Sequence, residues 1–185
     1  MSILINEKIK LAIDTAEKVL NDLDIKDAPV DIKKIAEFFK IDIKPMLFSN
    51  NDISGAIKIK GRSGNPVVVV NKEHILERQR FTIAHEIGHF LLHGSDINEM
   101  HIDAASPVYF RDGNAVSSTT DIKEMQANQF AAELLMPREM LAKDLLGEYK
   151  MRNDDDYDML TIEKLAKNYK VSKPAMIKRV GSLIV

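Results

Sequence analysis

The chain of 185 residues contains no cysteine. This absence excludes disulfide bonds, a thiol nucleophile and any metal site built from cysteine thiolates, and it is compatible with a reducing compartment. The sequence also contains no apolar run long enough to span a membrane, and its first ten residues lack the basic start and apolar stretch of a secretory signal. We therefore expect a cytoplasmic protein that has no membrane partner.

Hydrophobic residues make up 45% of the chain and charged residues 29%, which is typical of one soluble globular domain of this length. The net charge of −2 conceals an asymmetry, because residues 160–185 contain six lysines or arginines and one acidic residue. The rest of the chain is therefore acidic, and the basic end requires its own explanation.

Two histidines four residues apart, His85 and His89, enclose Glu86 in the sequence His-Glu-Ile-Gly-His. Residues four apart share one face of a helix, so both imidazoles can bind one metal ion while the glutamate lies beside the ion's open position. Apolar neighbours at helical spacing predict a buried helix over residues 75–93, in which Gly88 lets a neighbouring backbone or a substrate come close. The pattern is typical of zinc peptidases. The alternative is a pair of core histidines held only by hydrogen bonds.

A catalytic zinc ion needs a third protein ligand, and Glu124 is the main candidate. The segment of residues 119–137 begins with capping residues and ends at a proline, which predicts a second helix. Glu124 and Asn128 lie one turn apart on one face of this helix. Asn128 would therefore accept the N–H of a ligating histidine and fix its tautomer.

The other acidic and histidine side chains near the motif are weaker candidates. Glu133 lies off the face of the third ligand, and we expect it to be solvated. Glu99 and Asp103 follow the motif in a predicted loop and remain alternative third ligands. His93 lies eight residues beyond the first histidine, which is about 12 Å along the helix axis and on a different face, so it cannot share the ion. We expect it at the helix end. His74 is expected at the surface or behind the ligands.

The remaining periodicity predicts an α+β fold in which a small three-stranded antiparallel sheet packs with several helices. Apolar spacing predicts helices over residues 6–20 and 30–40, a short helix from Pro137 to Gly147, and two short helices at the end of the chain. The predicted strands cover residues 41–44, 55–60 and 66–71, with residues 61–65 as a hairpin loop. Residues 95–118 have no clear period and are predicted to form loops near the site, and residues 154–158 form a solvated acidic turn.

Three segments together resemble the ImmA/IrrE family of metallopeptidases. They are Ser54-Gly55-Ala56, the stretch from Glu77 to His89, and the stretch from Glu124 to Pro137. The resemblance runs from about residue 28 to about residue 180, with two separate motifs in the order that the family has.

The resemblance implies a minimal zincin-like metallopeptidase domain. It assigns the metal to His85, His89 and Glu124, and the role of general base to Glu86. Asn128 stands where related families often have aspartate, in a position behind the ligands. The metal would be Zn²⁺, although two histidines and one glutamate also accept Mn²⁺ or Fe²⁺. An oxyanion-stabilising side chain would complete the site, and Tyr109, Arg111 and His101 are its candidates.

The resemblance further implies an intracellular endopeptidase that cleaves a helix-turn-helix transcriptional repressor at one site, as an antirepressor in a mobile-element or stress-response circuit. We expect a single domain over residues 1–185, which has an N-terminal helix in residues 1–27, a catalytic core in residues 28–150 and a basic helical segment in residues 159–185. An extended substrate would pair with an exposed edge of the sheet.

Two rival interpretations remain. The basic segment of residues 159–185 resembles a helix-turn-helix, which would make the protein a regulatory module that binds DNA or a protein partner. It lacks the usual third helix, so direct binding of nucleic acid is the less favoured of the two. The other rival is a scaffold that keeps the fold and a metal but has no activity. The presence of Glu86 argues against it, since a structural metal site does not need a general base.

Overall fold

The structure is a computed structural model that describes residues 2–59, 64–94, 100–104, 119–151 and 159–184. In this part of the chain, helices and strands follow one another in an α+β fold, as predicted. The helices are α1 (Ser2–Asp22), α2 (Ile32–Phe38), α3 (Leu76–His93), α4 (Thr119–Leu135), α5 (Arg138–Met151), α6 (Met159–Tyr169) and α7 (Lys173–Ile184). The strands are β1 (Asp42–Met46), β2 (Ile53–Lys58), β3 (Val67–Asn71) and β4 (Met100–Ala104).

The sheet differs from the prediction in strand number and direction. It has four strands in the order β1-β3-β2-β4. Strand β3 is antiparallel to β2 but parallel to β1, with Asp42 opposite Val67 and Met46 opposite Asn71. The prediction of a three-stranded antiparallel sheet is therefore wrong, because the sheet is mixed and contains an additional strand.

Composition explains which strands are central and which are at the edges. The four valines of β3 are mostly buried, which suits a strand with a neighbour on each side. Strand β1 contains Lys44 and Pro45 and is largely exposed. Proline has no N–H for a ladder hydrogen bond and is largely restricted to edge strands, which agrees with the place of β1 at the edge of the sheet beside β3.

Strand β4 falls in a region that the sequence predicted to be loop. It pairs antiparallel with β2, with Ile57 opposite His101 and Ala56 opposite Ile102. A strand of five residues gives only a weak periodic signal, which is why the pattern missed it. The other predicted loops of residues 95–118, the acidic turn of residues 154–158 and most of the predicted hairpin loop lie outside the described residues.

Helix α3 packs against α4 and also against β2 and β3, and α1 packs against α4. The core forms between these layers. Its largest fully buried side chains include Ile57, Ile87, Phe130 and Leu134. At the end of the chain, α7 contacts α5 and α6. None of the helices in the described part of the chain combines the length and apolar character needed to cross a membrane.

Candidate metal centre

Helix α3 places the three residues of the motif in the interior. His85 and His89 are each 1% exposed, and Glu86 between them is fully buried. The two imidazole rings lie edge to face with their centroids 4.6 Å apart. Both Nε2 atoms point into the same small volume, where they are 3.0 Å apart.

Glu124 enters this volume from α4. Its Oε1 lies 3.2 Å from Nε2 of His89, and its Oε2 lies 3.3 Å from Nε2 of His85. The side chain is 25% exposed whereas the histidines are almost completely buried, so the opening of the site lies on the side of the glutamate. Within the described residues, these three side chains are the group whose ligand atoms converge closely enough for one metal ion.

The separations between the two Nε2 atoms and the two carboxylate oxygens of Glu124 fit a metal ion. Ligands bound tetrahedrally at 2.0–2.1 Å from zinc are about 3.3 Å apart. Here the two Nε2 atoms are 3.0 Å apart, and each lies 3.2 or 3.3 Å from a different carboxylate oxygen. Two imidazole nitrogens and a carboxylate are also a donor set that zinc accepts. The residues present therefore fit a divalent cation, and the set has room for a further ligand.

Asn128 lies behind His85, one turn along α4 from Glu124. Its Oδ1 is 2.9 Å from Nδ1 of His85. An Nδ1–H that donates to this oxygen leaves the lone pair on Nε2, the atom that faces Glu124. This geometry suits the tautomer that a metal ligand requires.

Gly88 allows α3 and α4 to approach each other at the level of the site. A Cβ atom at this position would lie 2.9 Å from Cδ1 of Phe130 and 3.3 Å from the backbone of Ala127. The prediction that Gly88 permits the close approach of a neighbouring backbone is therefore confirmed. On the other side of α3, a Cβ at Gly55 would lie 2.5 Å from Cγ2 of Thr82, so β2 is equally close.

The remaining candidates lie outside this cluster or outside the described residues. His93 is buried at the end of α3, with its ring centroid 5.7 Å from that of His89. The ring of His74 contacts the backbone carbonyl of Asn51 at 3.1 Å. His101 and Asp103 belong to β4, where they face Ile57 and Gly55 in the strand register. Tyr109, Arg111 and Glu99 lie outside the described residues, so the identity of the oxyanion-stabilising group stays a prediction.

The expectation that Glu133 is solvated is wrong. This side chain is 1% exposed and forms an ion pair with Arg179 of α7. Its Oε1 also accepts a hydrogen bond of 2.8 Å from the backbone N–H of Arg138, at the start of α5. Arg179 donates a further bond of 3.0 Å from Nε to the carbonyl of Met136. The sequence did contain a signal of this burial, because Glu133 lies among the apolar residues of the Phe130–Met136 segment.

Comparison with known families identifies the same region. The family model described as IrrE N-terminal-like domain, Peptidase_M78, matches residues 36–180. This range contains the sheet and both helices of the metal centre.

Two similar proteins are each described as a radiation response metalloprotease IrrE. The protein of Deinococcus radiodurans is 37% identical over 79 residues, which cover 43% of this chain and 22% of that protein. The protein of Deinococcus deserti is 36% identical over 85 residues, which cover 45% of this chain and 26% of that protein. The matched region therefore spans about a quarter of the length of these relatives.

A solved structure described as a Mycobacterium tuberculosis transcriptional regulator also resembles this chain. It aligns with a TM-score of 0.53 and 17% sequence identity, over 89% of this chain and 44% of that chain. At this level of identity the likeness shows a shared fold.

Proposed function

Because this chain belongs to the IrrE N-terminal-like domain family of metallopeptidases, we propose that it is a zinc-dependent cytoplasmic endopeptidase whose substrate is a DNA-binding repressor. The observation that carries the proposal is the convergence of His85, His89 and Glu124, together with the burial of Glu86, the residue after His85 on α3. Members of the family act as metalloproteases, and the two relatives named above are described as radiation response metalloproteases. Proteolysis of a repressor is a direct way for a protease to change transcription under stress.

The catalytic steps follow from the placement of these side chains. A divalent cation held by the three ligands would polarise a peptide carbonyl and make water a stronger nucleophile. Glu86 follows His85 directly on α3, and we assign to it the removal of a proton from the attacking water and its transfer to the leaving amine. Asn128 would keep His85 in the ligating tautomer throughout. Manganese or iron would suit the same donor set.

Strand β4 provides the edge along which we propose that the substrate binds. It pairs with β2 on one side, and within the described residues no strand pairs with its other side. Its central residue Ile102 is 49% exposed. An extended peptide that adds to this edge would gain main-chain hydrogen bonds and extend the sheet whose strands β2 and β3 pack against the helix that bears the site.

We also propose that residues 1–185 act as one domain. Two contacts between distant segments support this. Arg179 of α7 is buried against Glu133 of α4. Arg80 of α3 donates bonds of 3.2 and 2.9 Å to the carbonyls of Lys170 and Val30, which connects the α6–α7 turn with the segment before α2.

The test is to incubate the metal-loaded protein with the repressor encoded beside its gene and to look for a single cleavage product. We expect Glu86→Gln to retain the metal and lose cleavage, and His89→Ala to lose both. Glu77→Gln, on the same helix but outside the centre, is the matched control and should retain both. Cleavage by Glu86→Gln at the wild-type rate would contradict the assigned mechanism. Failure to cleave any neighbouring repressor would point to another substrate class.

The second candidate function is a regulatory module that uses α6 and α7 to bind DNA or a protein and has a non-catalytic metal site. The short turn between these helices, in which Lys170 has a φ of 51°, favours this reading because it gives a helix-turn-helix outline. The burial of Arg179 disfavours it, since that guanidinium already pairs with Glu133 and is not presented to a phosphate. Steeply salt-dependent binding of duplex DNA would support this candidate.

A further inference from the structure

A second feature lies away from the metal centre, between α5 and α6. It is an open groove of about 790 Å³. Four lysines line it: Lys143 from α5, Lys164 and Lys167 from α6, and Lys170 from the turn after α6. We call it the lysine groove. It shares no lining residue with the metal centre.

The charge of the lysine groove is opposite to that of the whole protein. All four lysines are exposed, and Asp144 is the acidic residue among the groove's described lining residues. The chain as a whole has a net charge of −2. A concave surface in which one sign of charge predominates attracts ligands of the opposite sign.

Hydrogen bonds hold the walls of the groove in place. The hydroxyl of Tyr169, which is fully buried, donates a bond of 2.7 Å to Oδ2 of Asp144 and so connects α6 with α5. Arg80 of α3 binds the carbonyl of Lys170 and fixes the turn at the end of the groove. A surface that is held in its binding shape loses little conformational entropy when a partner binds.

We propose that the lysine groove is a docking site for an acidic segment of a partner protein, and that this segment also presents apolar side chains. Charge complementarity gives the first part of the occupant's chemistry. The apolar part follows from Leu160, which is 64% exposed and lies one turn before Lys164 on α6. A carboxylate-rich amphipathic peptide would place its acidic groups near the lysines of the groove and cover Leu160 with its apolar face.

Nucleic acid fits the groove less well. The described lining residues include no arginine, the side chain suited to bidentate phosphate contacts, and no aromatic residue on which a base would stack. The recess also has the wrong shape for a duplex, which is bound by elements that project into its grooves.

The experiment measures the binding of a fluorescein-labelled peptide, in which Glu and Leu repeat at helical spacing, to the full chain by fluorescence anisotropy. The double variant Lys143→Glu/Lys167→Glu reverses charges within the groove, and Lys143→Gln/Lys167→Gln removes them. Lys10→Glu/Lys44→Glu is the matched control, because it changes the net charge equally at exposed positions that do not line the groove.

We expect the groove charge reversal to weaken binding by about tenfold or more, the neutral variant to weaken it less, and the control to change it by less than about twofold. Rising salt should weaken binding to the wild-type chain. Absence of binding, or equal losses in the groove and control variants, would overturn the proposal. Tighter binding of a DNA duplex than of the peptide, abolished by the groove variant, would overturn it in favour of nucleic acid.

Discussion

Oδ1 of Asn128 on α4 lies 2.9 Å from Nδ1 of His85 on α3. Glu124, one turn earlier on α4, has its carboxylate 3.3 Å from Nε2 of the same ring. One face of α4 therefore contacts both nitrogens of His85, one through an amide and the other through a carboxylate. The orientation of this ring depends on how α4 is placed against α3.

Replacement of Asn128 should weaken metal binding without removing a ligand. We expect Asn128→Ala to lower zinc affinity by about 10–100-fold, because His85 loses the acceptor that fixes its tautomer. Asn128→Asp keeps an acceptor oxygen and should retain affinity. Competition against a chromogenic chelator measures the zinc affinity of both variants. Gln129→Ala, at the next position on α4, is the control, and an Asn128→Ala affinity equal to that of this control would contradict the assigned role.

The elements that carry the site could be predicted from the sequence because their signals are local. Helix α3 begins within one residue of the predicted start and ends at His93 as predicted. The predicted second helix coincides with α4, which starts at Thr119 and stops before Pro137. Capping residues, proline and the spacing of apolar side chains determine where a helix begins and ends within one or two turns, so they can be read directly from the local sequence.

The strand order could not be predicted from local signals. The apolar composition of β3 and Pro45 in β1 suit a central and an edge strand, but they do not indicate that β1 pairs with β3 in parallel, which is a property of the assembled sheet. The same limit applies to Glu133, whose partner Arg179 is 46 residues away. Spacing along one helix indicates which face a residue occupies, but it does not indicate which distant element covers that face.

Gly88→Ala should destabilise the protein although alanine favours helices. The added methyl would lie 2.9 Å from the ring of Phe130 and 3.3 Å from the backbone of Ala127, which forces α3 and α4 apart. We expect a loss of about 1–3 kcal/mol in the free energy of unfolding, measured by urea denaturation.

Gly147→Ala on α5 is the matched control. A Cβ at Gly147 has nothing within 4 Å, so the substitution should stabilise by about 0.5–1 kcal/mol through helix propensity alone. If both substitutions stabilise the protein, the close packing of α3 on α4 is not as the structure describes.

Breaking the ion pair between Glu133 and Arg179 should destabilise the protein, because both side chains are buried. Arg179→Met leaves the Glu133 carboxylate buried without its partner, and we expect a loss of about 3–5 kcal/mol. Combining it with Glu133→Gln should cost less than the sum of the two single changes, since the amide carries no charge.

The exposed pair of Lys173 and Glu163 provides the comparison for this measurement. Lys173→Met should cost no more than about 1 kcal/mol, because solvent screens an exposed pair. If Arg179→Met and Lys173→Met lower the free energy of unfolding equally in urea denaturation, the burial of Arg179 does not increase the cost of losing the ion pair.

Tyr169 should make the protein sensitive to alkali. Burial, and after it the hydrogen bond and negative charge of Asp144, raise the pKa of Tyr169 above its ordinary value of 10.0. Below this value both the folded and the unfolded chain hold the proton, and the full stability is present. Above it the unfolded chain loses the proton while the folded chain keeps it, so stability falls by up to about 1.4 kcal/mol per pH unit.

Urea denaturation from neutral pH to about pH 11 should reveal this slope as a difference between the wild type and Tyr169→Phe. The variant is expected to be less stable at neutral pH, because it lacks the bond to Asp144, and the difference should shrink as the pH rises above 10. Asp144→Asn should keep most of the slope, since burial is the largest cause of the raised pKa. Parallel stability curves for the wild type and Tyr169→Phe would contradict the retention of the proton by the folded protein.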